Sequence, residues 1–256
     1  NVLIMRTGIT SLFLLTLFIA SCDKKPVPDT GNTVKSGAVN IEIDNVAGDD
    51  KLSLNDAWYA TPNGDSLNIS IYAYYISNIK LTTADGKQFA EQESYHLVDE
   101  ARPATKKFTI SDVPEGTYTS ISFIIGVDSA RNVSGAQTGD LAVEHGMFWD
   151  WNTGYIMAKV EGIISQVKAD NELLYHMGGF SGEYSVLRTV TMQLPQSLKV
   201  SEQAQPVIHF KNNALEWFQT PYTIDVKAMR FPGNRENNVK IADNYSDMFS
   251  IEHIDQ

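Results

Sequence analysis

The alternation of apolar and polar positions predicts that most of the chain folds into short β-strands. Apolar residues occupy every second position at Val39, Ile41 and Ile43, and again from Thr119 to Val127, which is the period of a strand buried on one face. A longer run of the same kind extends from Leu67 to Leu81. Further strand candidates, separated by turns rich in Gly, Pro and Asp, lie at residues 95–98, 107–110, 155–163, 173–177, 186–194 and 207–210.

Two segments depart from the strand pattern. Residues 128–154 have no period and are rich in Gly, Asn, Asp and Trp, so we predict a long functional loop there. Between residues 238 and 249 the apolar positions fall on one helical face, which predicts a short C-terminal helix. Many short strands joined by turns favour an all-β fold. We predict a β-sandwich of antiparallel sheets, Ig-like or jelly-roll-like, with long loops and that short helix.

The N-terminus has the features of an exported lipoprotein. An apolar run from Thr10 to Ala20 follows Arg6 and is too short to span a bilayer. It leads into Ile19-Ala20-Ser21-Cys22, the pattern that lipoprotein signal peptidase cleaves. The chain has a single cysteine, so Cys22 has no partner for an internal disulfide. We predict a signal peptide over residues 1–21 and a lipid on Cys22 that anchors the protein to a membrane. The expected location is the periplasm or the cell surface, with the outer membrane as the expected membrane.

The rest of the chain divides into a tether and one domain. Residues 22–37 are polar and rich in Pro and Gly, which is typical of a flexible linker, and residues 38–256 are predicted to form one β-sandwich domain. The chain carries 31 Asp and Glu against 20 Lys and Arg, a formal net charge of −11. Because phosphate contacts need clustered Lys and Arg, this composition argues against nucleic acid as a partner.

The sequence contains none of the common catalytic motifs. It has no Gly-x-Ser-x-Gly elbow, no His-Glu-x-x-His, no phosphate-binding loop and no dinucleotide-binding glycine pattern. The cysteine that thiol catalysis would need is assigned to the lipid. We therefore predict a binding protein and not an enzyme.

Residues 145–155 contain the densest group of candidate metal ligands. His145 supplies an imidazole, Met147 a thioether, and Trp149 and Trp151 two indoles. Imidazole and thioether together suit copper, particularly Cu(I). The alternative is that Met147 and the two tryptophans are core side chains that close one end of the sandwich, and the spacing alone leaves both interpretations open.

The other histidines lie in strands or near the C-terminus. His176 falls in a predicted strand, and His253 follows the apolar face of the predicted helix. A lone strand histidine is more often a hydrogen-bonded structural residue than a ligand, and on that ground we expect His96 and His209 to be structural. His253 is different, because nothing in strand packing requires an imidazole at that position.

Several motifs occur in a characteristic order along residues 38–254. They are Tyr74–Leu81, Asp112–Tyr118, Gly126–Asn132, Gly139–Leu141, Gly146–Tyr155, Glu161-Gly162, Tyr175–Gly179 and the Met-Phe-x-x-x-His that ends at His253. The Trp-x-Trp-Asn-x-Gly-Tyr block that ends at Tyr155 is the most specific of them. In this order and spacing the chain resembles the MbnP-like family of methanobactin-associated periplasmic copper-binding proteins, and in particular lipoproteins of this type from Bacteroidetes-like bacteria.

The resemblance implies a copper protein. In characterised relatives a tryptophan is oxidised to kynurenine by a partner di-haem peroxidase-like enzyme and helps histidines to bind Cu(I). His176 and His253 match histidines of the family pattern, whereas His145 lies just outside the Gly-Met-Phe-Trp motif. The Trp-x-His arrangement that one relative uses does not occur in this chain.

Two classes of function follow from these observations. The first is an exported lipoprotein that binds copper for storage, buffering or presentation to a partner; here we predict that His176 and His253 approach each other and form a Cu(I) site. Further candidates for that site are His145, Met147, Trp149 and Trp151. The second is a cell-surface lipoprotein without metal that binds a protein or glycan through the loop at residues 128–154.

Overall fold

The computed structural model describes residues 35–149, 154–165 and 169–256, and within them the chain forms fifteen strands and two α-helices. The strands are β1 Ser36–Ala47, β2 Asp50–Lys51, β3 Tyr59–Ala60, β4 Ser66–Thr83, β5 Gln88–Ala90, β6 Tyr95–Asp99, β7 Lys107–Pro114, β8 Gly116–Ile125, β9 Phe148–Trp149, β10 Gly154–Tyr155, β11 Ala158–Ile164, β12 Glu172–Met177, β13 Arg188–Val200, β14 Val207–Asn213 and β15 Phe249–Asp255. The helices are α1 Ser129–Asn132 and α2 Arg235–Tyr245. Cys22, the predicted signal peptide and Trp151 lie outside the described residues.

The strands form two main sheets. The first has the order β15-β14-β1, and both β2 and β7 pair with β1 along its other edge. The second has the order β12-β11-β4-β8-β13, with β3, β5 and β6 also paired to the long β4. These pairings are antiparallel except that of β1 with β14, which is parallel. The prediction of an all-β sandwich is confirmed, with this parallel pair as the departure from a purely antiparallel arrangement.

Aromatic side chains fill the space between the two sheets. The Phe249 ring of β15 packs edge-to-face on Tyr74 of β4 and on Phe123 of β8, with ring centroids 5.6 and 5.0 Å apart. Phe123 also meets Phe210 of β14 at 6.0 Å. Such pairs add to the stabilisation that burial of apolar area provides. Strands β14 and β15 of the first sheet are therefore fixed against β4 and β8 of the second.

The described residues of the 128–154 segment, for which the sequence predicted a loop, cover the outer face of the second sheet. Residues 128–154 contain α1, two single turns of 3-10 helix and β9. The Tyr75 hydroxyl of β4 donates to the Asp140 carbonyl at 3.1 Å, and the Tyr155 hydroxyl donates to the Leu141 carbonyl at 2.8 Å. This cover explains why β4 is buried on both faces over much of its length, although its alternation predicted burial on one.

The C-terminal segment contains a helix and then a strand. The helix predicted over residues 238–249 is α2, which begins after Asn234, whose side-chain oxygen accepts a hydrogen bond from Asn237 N at 2.8 Å. The chain then enters β15, and Phe249, which the helical pattern included, belongs to that strand. Strand β15 was not predicted from the sequence. No helix in the described chain has the length and apolarity needed to cross a bilayer.

Candidate functional site

A row of imidazole and charged side chains crosses the outer face of the first sheet. His253 of β15 lies opposite His209 of β14, His209 lies opposite Glu42 of β1, and Glu42 lies opposite Lys107 of β7. The Glu42 Oε2 atom is 2.9 Å from Lys107 Nζ and 3.8 Å from His209 Nδ1. Directly opposed residues on one face of a sheet are close neighbours, so the row forms one contiguous polar surface.

A β-bulge brings His253 onto this face. Strict alternation would place His253 on the same side as Ile251, which packs against the core. The pairing of β15 with β14 instead shifts at Glu252, so that Glu252 and His253 are both exposed while Ile254 is buried. Bulges re-aim side chains in this way. The bulge therefore sets the His253 imidazole beside His209.

His209, His253 and Asp255 form a cluster of three potential metal ligands, which we call the imidazole cluster. The two histidine rings are stacked, with centroids 4.0 Å apart and an angle of 11° between their planes. His209 Nε2 lies 3.2 Å from Asp255 Oδ2, and the ligand atoms of the three residues all lie within 4.8 Å of one another. Among the described residues this is the one group of three or more His, Cys, Asp or Glu close enough to hold a metal ion.

The imidazole cluster is open to solvent and flanked by two carboxylates, each of which is paired with a lysine: Glu42 with Lys107 at 2.9 Å and Glu252 with Lys211 at 3.3 Å. The side chains of His209, His253 and Asp255 are 20%, 51% and 65% exposed. Glu252 Oε2 lies 3.8 Å from His253 Nδ1, so a second carboxylate flanks the pair in addition to Glu42. A cation can reach these groups from solution, and neighbouring carboxylates lower the electrostatic free energy of a bound cation.

His176 lies on the other sheet and has a different partner. Its Nε2 atom is 2.7 Å from Glu161 Oε1 on the neighbouring strand β11. Its strand, β12, is the edge of the second sheet farthest from β13, and β13 is the strand of that sheet that contacts β15. Contrary to the expectation from sequence, the structure does not bring His176 and His253 together.

We expect His176 to titrate below the ordinary histidine pKa of about 6.5. Burial lowers the pKa of this imidazole, and the Glu161 hydrogen bond opposes that effect only in part. Because the folded-state pKa is depressed, the stabilising contribution of neutral His176 is fully present above about pH 6.5 and is lost as pH falls through the folded-state value. Proton NMR titration of the imidazole measures this pKa. In Glu161→Gln the pKa should fall further, and an unchanged or higher value would contradict the assignment.

Both ring nitrogens of His145 are used in hydrogen bonds. Nδ1 lies 2.8 Å from Arg102 Nη1, and Nε2 lies 3.0 Å from the Gly139 carbonyl oxygen. Arginine can only donate and a carbonyl can only accept, so these two contacts use Nδ1 as acceptor and Nε2–H as donor. Neither nitrogen has a lone pair to spare for a metal. His145, a candidate third ligand in the sequence analysis, is a structural residue of this turn.

Met147 and Trp149 take part in packing around the second sheet. Met147 is 2% exposed and belongs to the core. The Trp149 indole lies against the backbone of Gly178, where an added Cβ would come within 2.1 Å of the ring. Of the two interpretations left open by spacing, these contacts favour the packing role. Neither side chain belongs to the imidazole cluster, which lies on the first sheet.

His209 and Asp255 were not among the ligands predicted from the sequence. His209 was expected to be structural because it is a lone histidine in a strand. One local signal was available: Ile208 and Phe210 on either side are apolar, so the alternation points His209 outward, and in the structure both neighbours are buried. Its partner could not be identified, since the pairing of β14 with β15 is a tertiary feature.

Comparison with known proteins agrees with the fold. The sequence profile of the MbnP family matches residues 36–242. MbnP from Methylosinus trichosporium is a similar solved structure: the alignment covers 85% of this chain and 99% of that one, with a TM-score of 0.50 and 14% sequence identity. Identity this low supports a shared fold and nothing finer. No curated protein matches the sequence significantly. Since the family profile spans most of the chain, this protein belongs to the MbnP family.

Proposed function

We propose that this protein is an exported, membrane-anchored lipoprotein that binds copper in order to store it, buffer it or present it to a partner. The observation that carries the proposal is the imidazole cluster, in which His209, His253 and Asp255 bring their ligand atoms within 4.8 Å of one another. Membership of a family associated with methanobactin and copper supports the choice of metal. The partner that the resemblance implies is a di-haem peroxidase-like enzyme.

The donor set of the imidazole cluster fits copper. Imidazole is a good ligand for copper and zinc, and a carboxylate is harder than the thioether expected from the sequence. Met147, which would have supplied that thioether, is buried in the core. The set therefore favours Cu(II) over the Cu(I) inferred from sequence. Copper(II) also stands above zinc in the affinity order of divalent metals, so copper is expected to displace zinc here.

The residues of the imidazole cluster and the two carboxylates beside it have distinct roles in this proposal. His209 and His253 would each contribute one nitrogen, and Asp255 one oxygen. Glu42 and Glu252 lie 3.8 Å from the imidazoles and would stabilise the cation without having to bind it, although their ion pairs with Lys107 and Lys211 reduce this effect. The exposure of the cluster suits exchange of the metal with a second protein, because a competing ligand can approach from solvent.

Removal of either imidazole is expected to weaken copper binding strongly. His209→Ala and His253→Ala should each lower Cu(II) affinity at least tenfold, or about 1.4 kcal/mol, because each leaves a single imidazole with exposed carboxylates. The matched controls are His176→Ala and His145→Ala, which remove an imidazole outside the cluster and should bind copper like the parent. Competition titration against a chelator of known affinity measures all four, with zinc as the comparison metal.

Three results would contradict this assignment. The cluster is not the site if His209→Ala and His253→Ala both keep the parent's copper affinity. Copper is not the metal if the unmodified protein prefers zinc. Loss of binding in His176→Ala alone would move the site to the second sheet, which carries His176.

A further inference from the structure

A lysine, a glutamate and an asparagine meet in the interior of the domain, and we call them the buried triad. Lys106 ends a turn of 3-10 helix just before β7, Glu100 directly follows β6, and Asn45 lies in β1. The side chains of Lys106 and Glu100 are 10% and 8% exposed, and Asn45 is 1% exposed. Lysine and glutamate are seldom buried to this extent. The triad places a primary amine close to a carboxamide in a site that largely excludes water.

One carboxylate holds the other two members of the triad. Lys106 Nζ donates to both oxygens of Glu100, each at 2.9 Å. Asn45 Nδ2 donates to Glu100 Oε2, also at 2.9 Å. Both nitrogens therefore contact one oxygen atom and lie within twice that distance of each other. Because an ionised carboxylate only accepts hydrogen bonds, this contact also fixes which way the Asn45 amide faces.

The carbonyl oxygen of Asn45 has a donor of its own. The Tyr74 hydroxyl of β4 donates to Asn45 Oδ1 at 2.8 Å, and the Tyr74 side chain is fully buried. Burial raises the pKa of this hydroxyl well above its ordinary value, so it stays protonated. A fixed donor at this oxygen polarises the carbonyl group and stabilises the negative charge that develops when a nucleophile attacks Cγ.

We propose that Lys106 and Asn45 join in an intramolecular amide bond, with Glu100 as the proton carrier. Glu100 is within hydrogen-bond reach of the proton that it must take, and its transfer from the Lys106 ammonium leaves two neutral groups where charge is costly. The Nζ lone pair then attacks Asn45 Cγ. Glu100 delivers its proton to Nδ2 and takes a second one from Nζ, the Cγ–Nδ2 bond breaks, and ammonia leaves. Of the three ammonium protons, one stays in the new amide, one leaves with ammonia and one remains on Glu100.

The amide bond supplies a covalent cross-link that the chain cannot obtain from cysteine. The sequence has a single cysteine, which excludes an internal disulfide, whereas this reaction needs no oxidant. The bond joins β1 to the segment that precedes β7 and closes the loop between residues 45 and 106. Such a cross-link restricts the unfolded chain in the way that a disulfide does. It also replaces a buried ion pair, which is costly to desolvate, with a neutral group.

Peptide mass spectrometry of the full chain, unfolded in urea and digested with trypsin, tests the proposal. Trypsin does not cleave after an acylated lysine, so residues 36–51 and 88–107 should be recovered as one branched peptide. Its mass should be lower than that of the two peptides together by one ammonia. Fragmentation should place the branch between Asn45 and Lys106. Recovery of the two peptides only in separate form, with cleavage after Lys106, would overturn the proposal.

Two variants test the role of the carboxylate. Glu100→Gln keeps the length of the side chain but cannot take a proton from Lys106, so the branched peptide should be lost. Lys80→Met is the matched control, because it removes an exposed lysine of β4 and should leave the branched peptide unchanged. A branched peptide that persists in Glu100→Gln would overturn the assignment of Glu100 as the proton carrier. The parent chain by itself contains or lacks the cross-link, so the test does not depend on whether a variant folds.

Discussion

Replacing Gly162 with alanine is expected to lower the free energy of unfolding by about 2–3 kcal/mol, the upper part of the usual range for overpacking. Gly162 lies in β11 at a register shift against β4. A Cβ at this position would lie 2.3 Å from the backbone oxygen of Asn68 and 3.2 Å from the Cα of Ile69. Backbone atoms cannot rotate away as a flexible side chain can, so the neighbouring strands β11 and β4 would have to separate. Urea-induced unfolding measures the change.

Gly116→Ala is the matched control for this substitution. Gly116 also lies in a strand of the second sheet, but the atom nearest to an added Cβ would be 3.7 Å away, on the Tyr118 ring. We expect a change within about 0.5 kcal/mol. If the two variants lose the same stability, the cost does not arise from the contact between β11 and β4, and our account of the register shift is wrong.

Cys22→Ser is expected to remove the protein from the membrane fraction. A serine cannot carry the thioether-linked lipid, and the acidic mature chain has no Lys- or Arg-rich run to replace the anchor. The variant should accumulate either as unprocessed precursor or as protein released by washing without detergent. Cell fractionation together with mass spectrometry of the N-terminal peptide measures both outcomes.

Ser21→Ala serves as the control for the anchor, because it keeps a small residue before Cys22 and should leave processing unchanged. If Cys22→Ser still sediments with membranes and needs detergent for release, the assignment of residues 19–22 as a lipobox is wrong. This test is independent of the metal, since it concerns only how the domain is retained.

The imidazole cluster differs from the arrangement that the family resemblance implies. That arrangement combines histidines with an oxidised tryptophan, whereas here Trp149 is packed against Gly178 and the clustered histidines lie on the opposite sheet. Among the residues that the structure describes, no tryptophan belongs to the proposed site. If copper in this protein depends on His209 and His253, members of one family hold the metal with different donor sets on a common fold.

The sequence by itself determined the class of fold and the position of most strands. Alternation at Val39, Ile41 and Ile43 correctly predicted β1, and the alternating run from Thr119 predicted β8. This works because burial on one face imposes a period of two on nearby residues, which is a local property. The same local reasoning located α2 and predicted the lipobox at Cys22, which stays a prediction.

Only the tertiary structure decided which histidines meet. Strand periodicity shows that His209 faces outward, but the choice of β15 as its neighbour depends on how distant strands pack over the shared core. The bulge at Glu252 adds one residue to β15 and turns His253 to the outer face, and a single inserted residue leaves no distinct mark on composition or period. The partners of His145 depend on the same kind of information, since its hydrogen bond to Arg102 joins segments that are distant in the sequence.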